Sequence, residues 1–115
     1  MADVTKQSYE EFRIHADFGL NMESGEVLVV GSCTVVCTDK DGVDVTTTLL
    51  DDTTKAVING DAVPTGSGVA SAALQVLIKG GSESASPYKY TFKGVTDLIP
   101  PNKWEKDISL KLKEK

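Results

Sequence analysis

The segment CTVVCTDKDGVDV, residues 33–45, holds both cysteines of the chain and its densest run of carboxylates. Two thiols and three acids this close together are the raw material of a redox pair or a metal site. A redox pair would normally be Cys-x-x-Cys at a helix start, and a zinc site would need further Cys or His ligands. Here three residues separate Cys33 from Cys37, the flanks are rich in valine and threonine, and the only histidine is His15. Along an extended strand Cys33 and Cys37 share a face about 13 Å apart, beyond the ~7 Å between Cα atoms that a disulfide spans. The thiols read as small buried hydrophobes.

Asp39, Asp41 and Asp44 could offer oxygens to calcium, which takes several at set spacings. The EF-hand spacing wants an acid or amide where Val43 stands and a glycine where Asp44 stands. Asp41-Gly42 between β-branched runs is instead a turn signal, because glycine accepts the positive φ of a tight turn. Strand, turn, strand is the preferred reading, with weak calcium binding by Asp39, Asp41 and Asp44 as the alternative. A two-residue loop at Asp41-Gly42 would set Val35 and Cys37 on the face of Thr46 and Thr48, with Val43 and Val45 opposite. Either the loop is longer and bulged, or the two strands belong to different sheets.

Other chemistry is harder to assemble. A Ser-His-Asp or Cys-His set needs an activated base, and His15 falls on the wet side of an alternating segment. Among 17 acidic residues chance carboxylate pairs are easy, but one tryptophan, three tyrosines and three phenylalanines leave little to line a sugar cleft. Gly66-Ser67-Gly68 and Gly80-Gly81 lead into strand or polar loop, not into the helix start that a phosphate cradle needs. The expectation is a protein that is not an enzyme and carries no cofactor.

The elements around these residues are β. Residues 1–8 are polar and expected to form a flexible N-terminal segment, followed by a single domain over 9–115. Phe12, Ile14, Ala16 and Phe18 alternate with Arg13, His15 and Asp17, the mark of a half-buried strand. Further strands are expected over Val27–Thr38 and Val43–Leu49, with Asp51 to Thr54 breaking the pattern. Lys55–Ile58 is expected to fold back on Asp61–Val63 through an Asn59-Gly60 hairpin. Val69–Lys79 and the Tyr88-Tyr90-Phe92 alternation give two more. The last strand carries Trp104, Ile108, Leu110 and Leu112 on one face, with Ser109, Lys111 and Lys113 facing water. Six or seven short strands with frequent turn signals give an all-β fold, an antiparallel β-sandwich of about seven strands, with a small barrel as the alternative. Tyr88, just after Pro87, sits where an immunoglobulin-like fold has its tyrosine corner, so its hydroxyl is expected to bond the preceding loop.

The chain has 115 residues and a formal net charge of -5. One domain of this length needs no metal or disulfide to fold. The acidic balance lacks the footprint of a nucleic-acid binder and argues against anionic membranes. MADVTKQSYEEF has no apolar core of a signal peptide, and no apolar run reaches bilayer length, so a cytoplasmic protein is expected. Function then lies in surface. Leu98, Ile99 and Pro100, together with Trp104, form the expected partner surface if exposed; as an end plug of the sandwich they would serve only the core.

Taken in order, SYEEFRIHADF, SGEVL, TDKDGVDVT, SPYKYTFKGVT and KWEKDISLKLKE span most of the chain. Together they resemble small immunoglobulin-like proteins of tailed phages and prophages, of the fiber-tail adaptor or head-tail accessory kind. Members of that group commonly carry a Thr-Ser-x-Gly turn between the last two strands, where this chain has the longer, more apolar Asp97 to Asn102. The resemblance implies an immunoglobulin-like sandwich without catalytic residues. It also implies a virion structural or adaptor role, partners among other phage structural proteins, homo-oligomeric use in the particle, and assembly in a bacterial cytoplasm. The alternative is an immunoglobulin-like module for cell-surface or carbohydrate ligands.

Overall fold

The computed structural model describes residues 2–114. Among the described residues seven strands form two sheets. β1 (Ala2–Lys6), β7 (Lys103–Leu112), β6 (Tyr88–Val95) and β3 (Thr34–Thr38) lie side by side in that order. The second sheet has the order β2 (Phe12–Asp17), β5 (Ala73–Ile78), β4 (Leu50–Ile58). All pairings are antiparallel except β1 with β7, which run parallel with Val4 opposite Leu110. The architecture is β-sandwich-like.

The core follows from alternation. Ile14 and Ala16 of β2, Leu74, Val76 and Ile78 of β5 and Leu50 of β4 are buried on one sheet. Val35 and Cys37 of β3, Tyr88, Tyr90 and Phe92 of β6, and Ile108, Leu110 and Leu112 of β7 are buried on the other. Each large aliphatic or aromatic side chain removed from water here contributes about 1.5–3 kcal/mol. Tyr90 reaches between the layers and donates from its hydroxyl to the Leu49 carbonyl at 2.8 Å. Burial first, with the neighbouring Cys37, raises its pKa. Gly94 is where the layers approach closely: a Cβ there would lie 3.1 Å from Leu28 and Phe18.

Several expected strands are replaced by connections that change sheet. Val27–Thr38 is not one strand. Val30–Ser32 forms a 3-10 turn and β3 begins only at Thr34. Val43–Leu49 is not a strand either: Thr38 bridges to Asp44, and Thr46–Leu49 form one helical turn, α1, that leads into β4. The face conflict at Asp41-Gly42 is thereby resolved by crossing between layers, with Gly42 at φ +83°. Asp51 to Thr54 does not end a strand but forms an irregularity inside β4, between Asp51 and Ala56. There the Thr54 hydroxyl accepts from Leu77 N–H at 3.1 Å, replacing a ladder bond. Asn59-Gly60 makes no tight hairpin. Gly60–Ala62 is a 3-10 turn, and Asn59 Oδ1 accepts from Ser71 N–H at 2.9 Å, closing a longer excursion before β5.

The polar segment at 1–8, expected to be flexible, contains β1; Met1 and Lys115 lie outside the described residues. β1 is held by its parallel ladder to β7 and by Val4 against the core, and its last residue makes an interaction that composition hides. Lys6 is 1% exposed, and its ammonium donates to the carbonyls of Gln7 (2.8 Å), Ser8 (3.3 Å) and Glu10 (2.9 Å). Burial lowers its pKa, against the opposing pull of Glu10, Glu11 and Glu114. Lys6→Met keeps the stem and removes the three bonds, and is expected to cost about 1–3 kcal/mol. A urea titration measures this, and an unchanged midpoint would contradict the role assigned to Lys6.

Candidate interaction surface

The residues singled out for chemistry are occupied by structure. Cys33 and Cys37 are free and buried. Burial, before any other cause, pushes the Cys37 thiol up to about 12, so its reactive thiolate is disfavoured. Asp39 Oδ1 accepts from the N–H groups of Asp41 (2.9 Å) and Val43 (3.0 Å). Asp44 Oδ1 accepts from the Thr46 N–H at 2.9 Å and hydroxyl at 2.6 Å. These are turn-forming roles. Among the described residues no group of three or more His, Cys, Asp or Glu is arranged to hold a metal ion.

His15 does meet acids. It lines a groove of about 480 Å³ with Asp17, Lys106 and Asp107, between the edge strand β2 and β7. Asp17 is committed there: it accepts from Gly19 N–H (2.9 Å), Ser67 N–H (2.7 Å) and the Ser67 hydroxyl (3.0 Å). Partial desolvation opposes ionisation, but these donors and the Lys106 ammonium outweigh it and hold the carboxyl below its ordinary value. Asp17 thus pins the 59–72 excursion against β2.

The concentration of apolar surface lies elsewhere. Among the described residues seven large hydrophobics are exposed, and five of them, Leu20, Val29, Val30, Leu98 and Ile99, sit at one end of the sandwich. That end is made by the β2–β3 and β6–β7 connections, which are laced together. Leu28 bridges to Thr96, Val29 N–H donates to the Val95 carbonyl at 2.9 Å, and Asp97 N–H donates to Val27 at 3.0 Å. Asp97 Oδ1 in turn accepts from Val27 N–H at 3.1 Å.

The β6–β7 loop is closed at its base. Thr96 N–H donates to the Asn102 carbonyl (3.1 Å), and Asn102 N–H donates to the Thr96 hydroxyl (3.0 Å). The Asn102 amide then spans two acids, donating to Glu26 (2.9 Å) and Glu23 (3.0 Å). Glu26 is 2% exposed, and its second oxygen accepts from Glu23 N–H at 2.9 Å. The pinned loop lifts Ile99 into solvent at 99% exposure, beside Leu98 at 37% and the exposed Pro100.

The four residues expected as a partner surface therefore divide. Leu98, Ile99 and Pro100 form the tip, whereas Trp104 packs partly against the core and lines a groove at the loop's base. Tyr88 stands at the start of β6; its hydroxyl accepts from Ser82 N–H at 3.0 Å and donates to the Ser82 carbonyl at 3.5 Å. Sequence reasoning missed Leu20, Val29 and Val30 as exposed, and missed the Glu23–Glu26–Asn102 junction. The signal for Val29 and Val30 was Gly31-Ser32, which interrupts an otherwise continuous strand pattern. For the junction there was none, because its parts are about 76 residues apart in sequence. In comparisons with protein families, curated proteins and solved structures, no match to this chain is found.

Two outcomes are expected. Asn102→Ala leaves the buried Glu26 oxygen without its donor and is expected to cost about 1–3 kcal/mol, read by chemical denaturation. The depressed Asp17 pKa adds stability that is present above the ordinary carboxylate range, near pH 4, and lost as pH falls through the folded value. Asp17→Asn is expected to lose about 1 kcal/mol at pH 7, a figure already reduced for solvent screening, and less at pH 2–3. Melting curves at both pH values check it.

Proposed function

We propose that this protein is a non-enzymatic structural or adaptor component of a tailed phage or prophage particle, with an immunoglobulin-like sandwich that docks neighbouring virion subunits. The observation that carries the docking role is the tip of the β6–β7 loop: a fully exposed isoleucine held on hydrogen-bonded supports. An exposed aliphatic side chain gains nothing in water, and a loop closed at its base loses less backbone entropy when it is covered. A cluster of such side chains is what a protein interface uses at its centre.

The immunoglobulin-like part of the reading is supported by strand order. With β2, β5 and β4 read as strands B, E and D, and β3, β6 and β7 as C, F and G, the order within the two sheets is compatible with that fold. The Tyr88–Ser82 bonds fall where its tyrosine corner would be, at the turn before strand F. In that frame the apolar end carries the B–C and F–G loops, which in variable domains hold binding residues. The resemblance of the SYEEFRIHADF to KWEKDISLKLKE segments to phage adaptor proteins supplies the virion setting.

The test is capture of tail or connector proteins encoded beside this gene by the purified protein. Capture is expected, and Ile99→Asp is expected to weaken it by at least about tenfold. Failure to capture any of them, or capture indifferent to Ile99→Asp, would contradict the proposal. Binding to glycans instead would favour the cell-surface module.

A further inference from the structure

The β6–β7 loop ends where a second feature begins. Lys103 and Trp104, the first residues of β7, help to line a groove of about 370 Å³. Its other walls come from Ser32 ahead of β3, Thr34 at the start of β3, Lys93, Gly94 and Val95 of β6, and Glu105 of β7. A projecting isoleucine thus stands next to a depression floored in part by valine and tryptophan. The charges differ between the two. The groove carries Lys93, Lys103 and Glu105, with Lys93 and Glu105 3.9 Å apart, so its lining is net positive on a chain of net charge -5. The loop is flanked by carboxylates: Asp97 on the loop itself and Glu23 on Asn102.

We infer that the occupant of this groove is the Ile99 tip of a second copy of the chain, giving a twofold homodimer. In a twofold contact the same patch faces itself, so a knob beside its own hole can fill the partner's hole, and be matched in return. Adjacency of tip and groove on one surface is the geometry this needs. The acidic flank of each tip then meets the lysines of the other groove, which fixes register and disfavours tip-to-tip contact. Covering Ile99 on both copies removes the most exposed hydrophobic side chain of the apolar end from water.

The inference uses the loop assigned above as a docking surface, but not its virion setting. Sedimentation velocity on the full chain, from low micromolar to about 1 mM, reads it directly. A concentration-dependent dimer is expected. Ile99→Asp removes the knob, and Thr34→Trp, at an exposed position, fills the hole. Each is expected to weaken association by at least about tenfold, with thermal melting unchanged at concentrations where the chain is monomeric. Mixing the two variants pairs one intact knob with one intact hole, and is expected to restore a weaker heterodimer. A protein that stays monomeric throughout, or a dimer untouched by both substitutions, overturns the inference. Monomeric protein that still captures a tail or connector protein would overturn the dimer alone. Because the dimer covers Ile99, capture is read at concentrations low enough for the chain to be monomeric; a chain that dimerises at higher concentration but captures none there would overturn the virion reading alone.

Discussion

A carboxylate with 2% exposure has to have its oxygens satisfied from within the fold, and at Glu26 both are. One takes the Glu23 N–H, closing its own turn; the other takes the Asn102 amide from the far end of the chain. Removing a donor from a buried acceptor costs more than the bond itself contributes, so the junction is made or broken as a unit. Through it the β2–β3 and β6–β7 connections become one body. It adds to the Leu28–Thr96 bridge and to the Val29–Val95 and Val27–Asp97 bonds that join the same two connections.

What brings Glu26 and Asn102 together is the sheet arrangement. β2 and β6 lie in different layers and both finish at the same end, since the buried rows of Ile14 and Ala16 and of Tyr90 and Phe92 belong to one apolar cluster. At the other end a second buried polar group, Lys6, closes the β1–β2 connection through carbonyls one to four residues further along. The sandwich therefore carries a polar clasp at each end and a dry layer between.

Half of this was legible in the chain. Alternation gave Phe12–Phe18, Tyr88–Phe92, the Leu110 face and, of the expected Val69–Lys79 strand, the part over Ala73–Ile78 correctly, because a strand with one dry side must repeat every second residue. It failed where strands leave a sheet. Val27–Thr38 and Val43–Leu49 are as β-branched as any strand, yet each changes layer and must bend, so propensity was overridden by tertiary context. The Asn59-Gly60 signal was misread for a related reason: Asn59 uses its side chain to hold Ser71, not to tighten a two-residue turn. Leu98, Ile99 and Pro100 were visible as apolar residues in a loop. Whether they plugged the end or projected from it depended on Asn102, whose partners were beyond the reach of any local pattern.

The central claim is that the β6–β7 tip is held, not merely exposed. Backbone ¹⁵N relaxation at the Leu98, Ile99 and Asn102 amides tests it most directly. Order parameters near 0.85, matching the strands, are what a clasped loop gives. Values below about 0.6 at Leu98 and Ile99 would mean a flexible tether, and the account would be wrong.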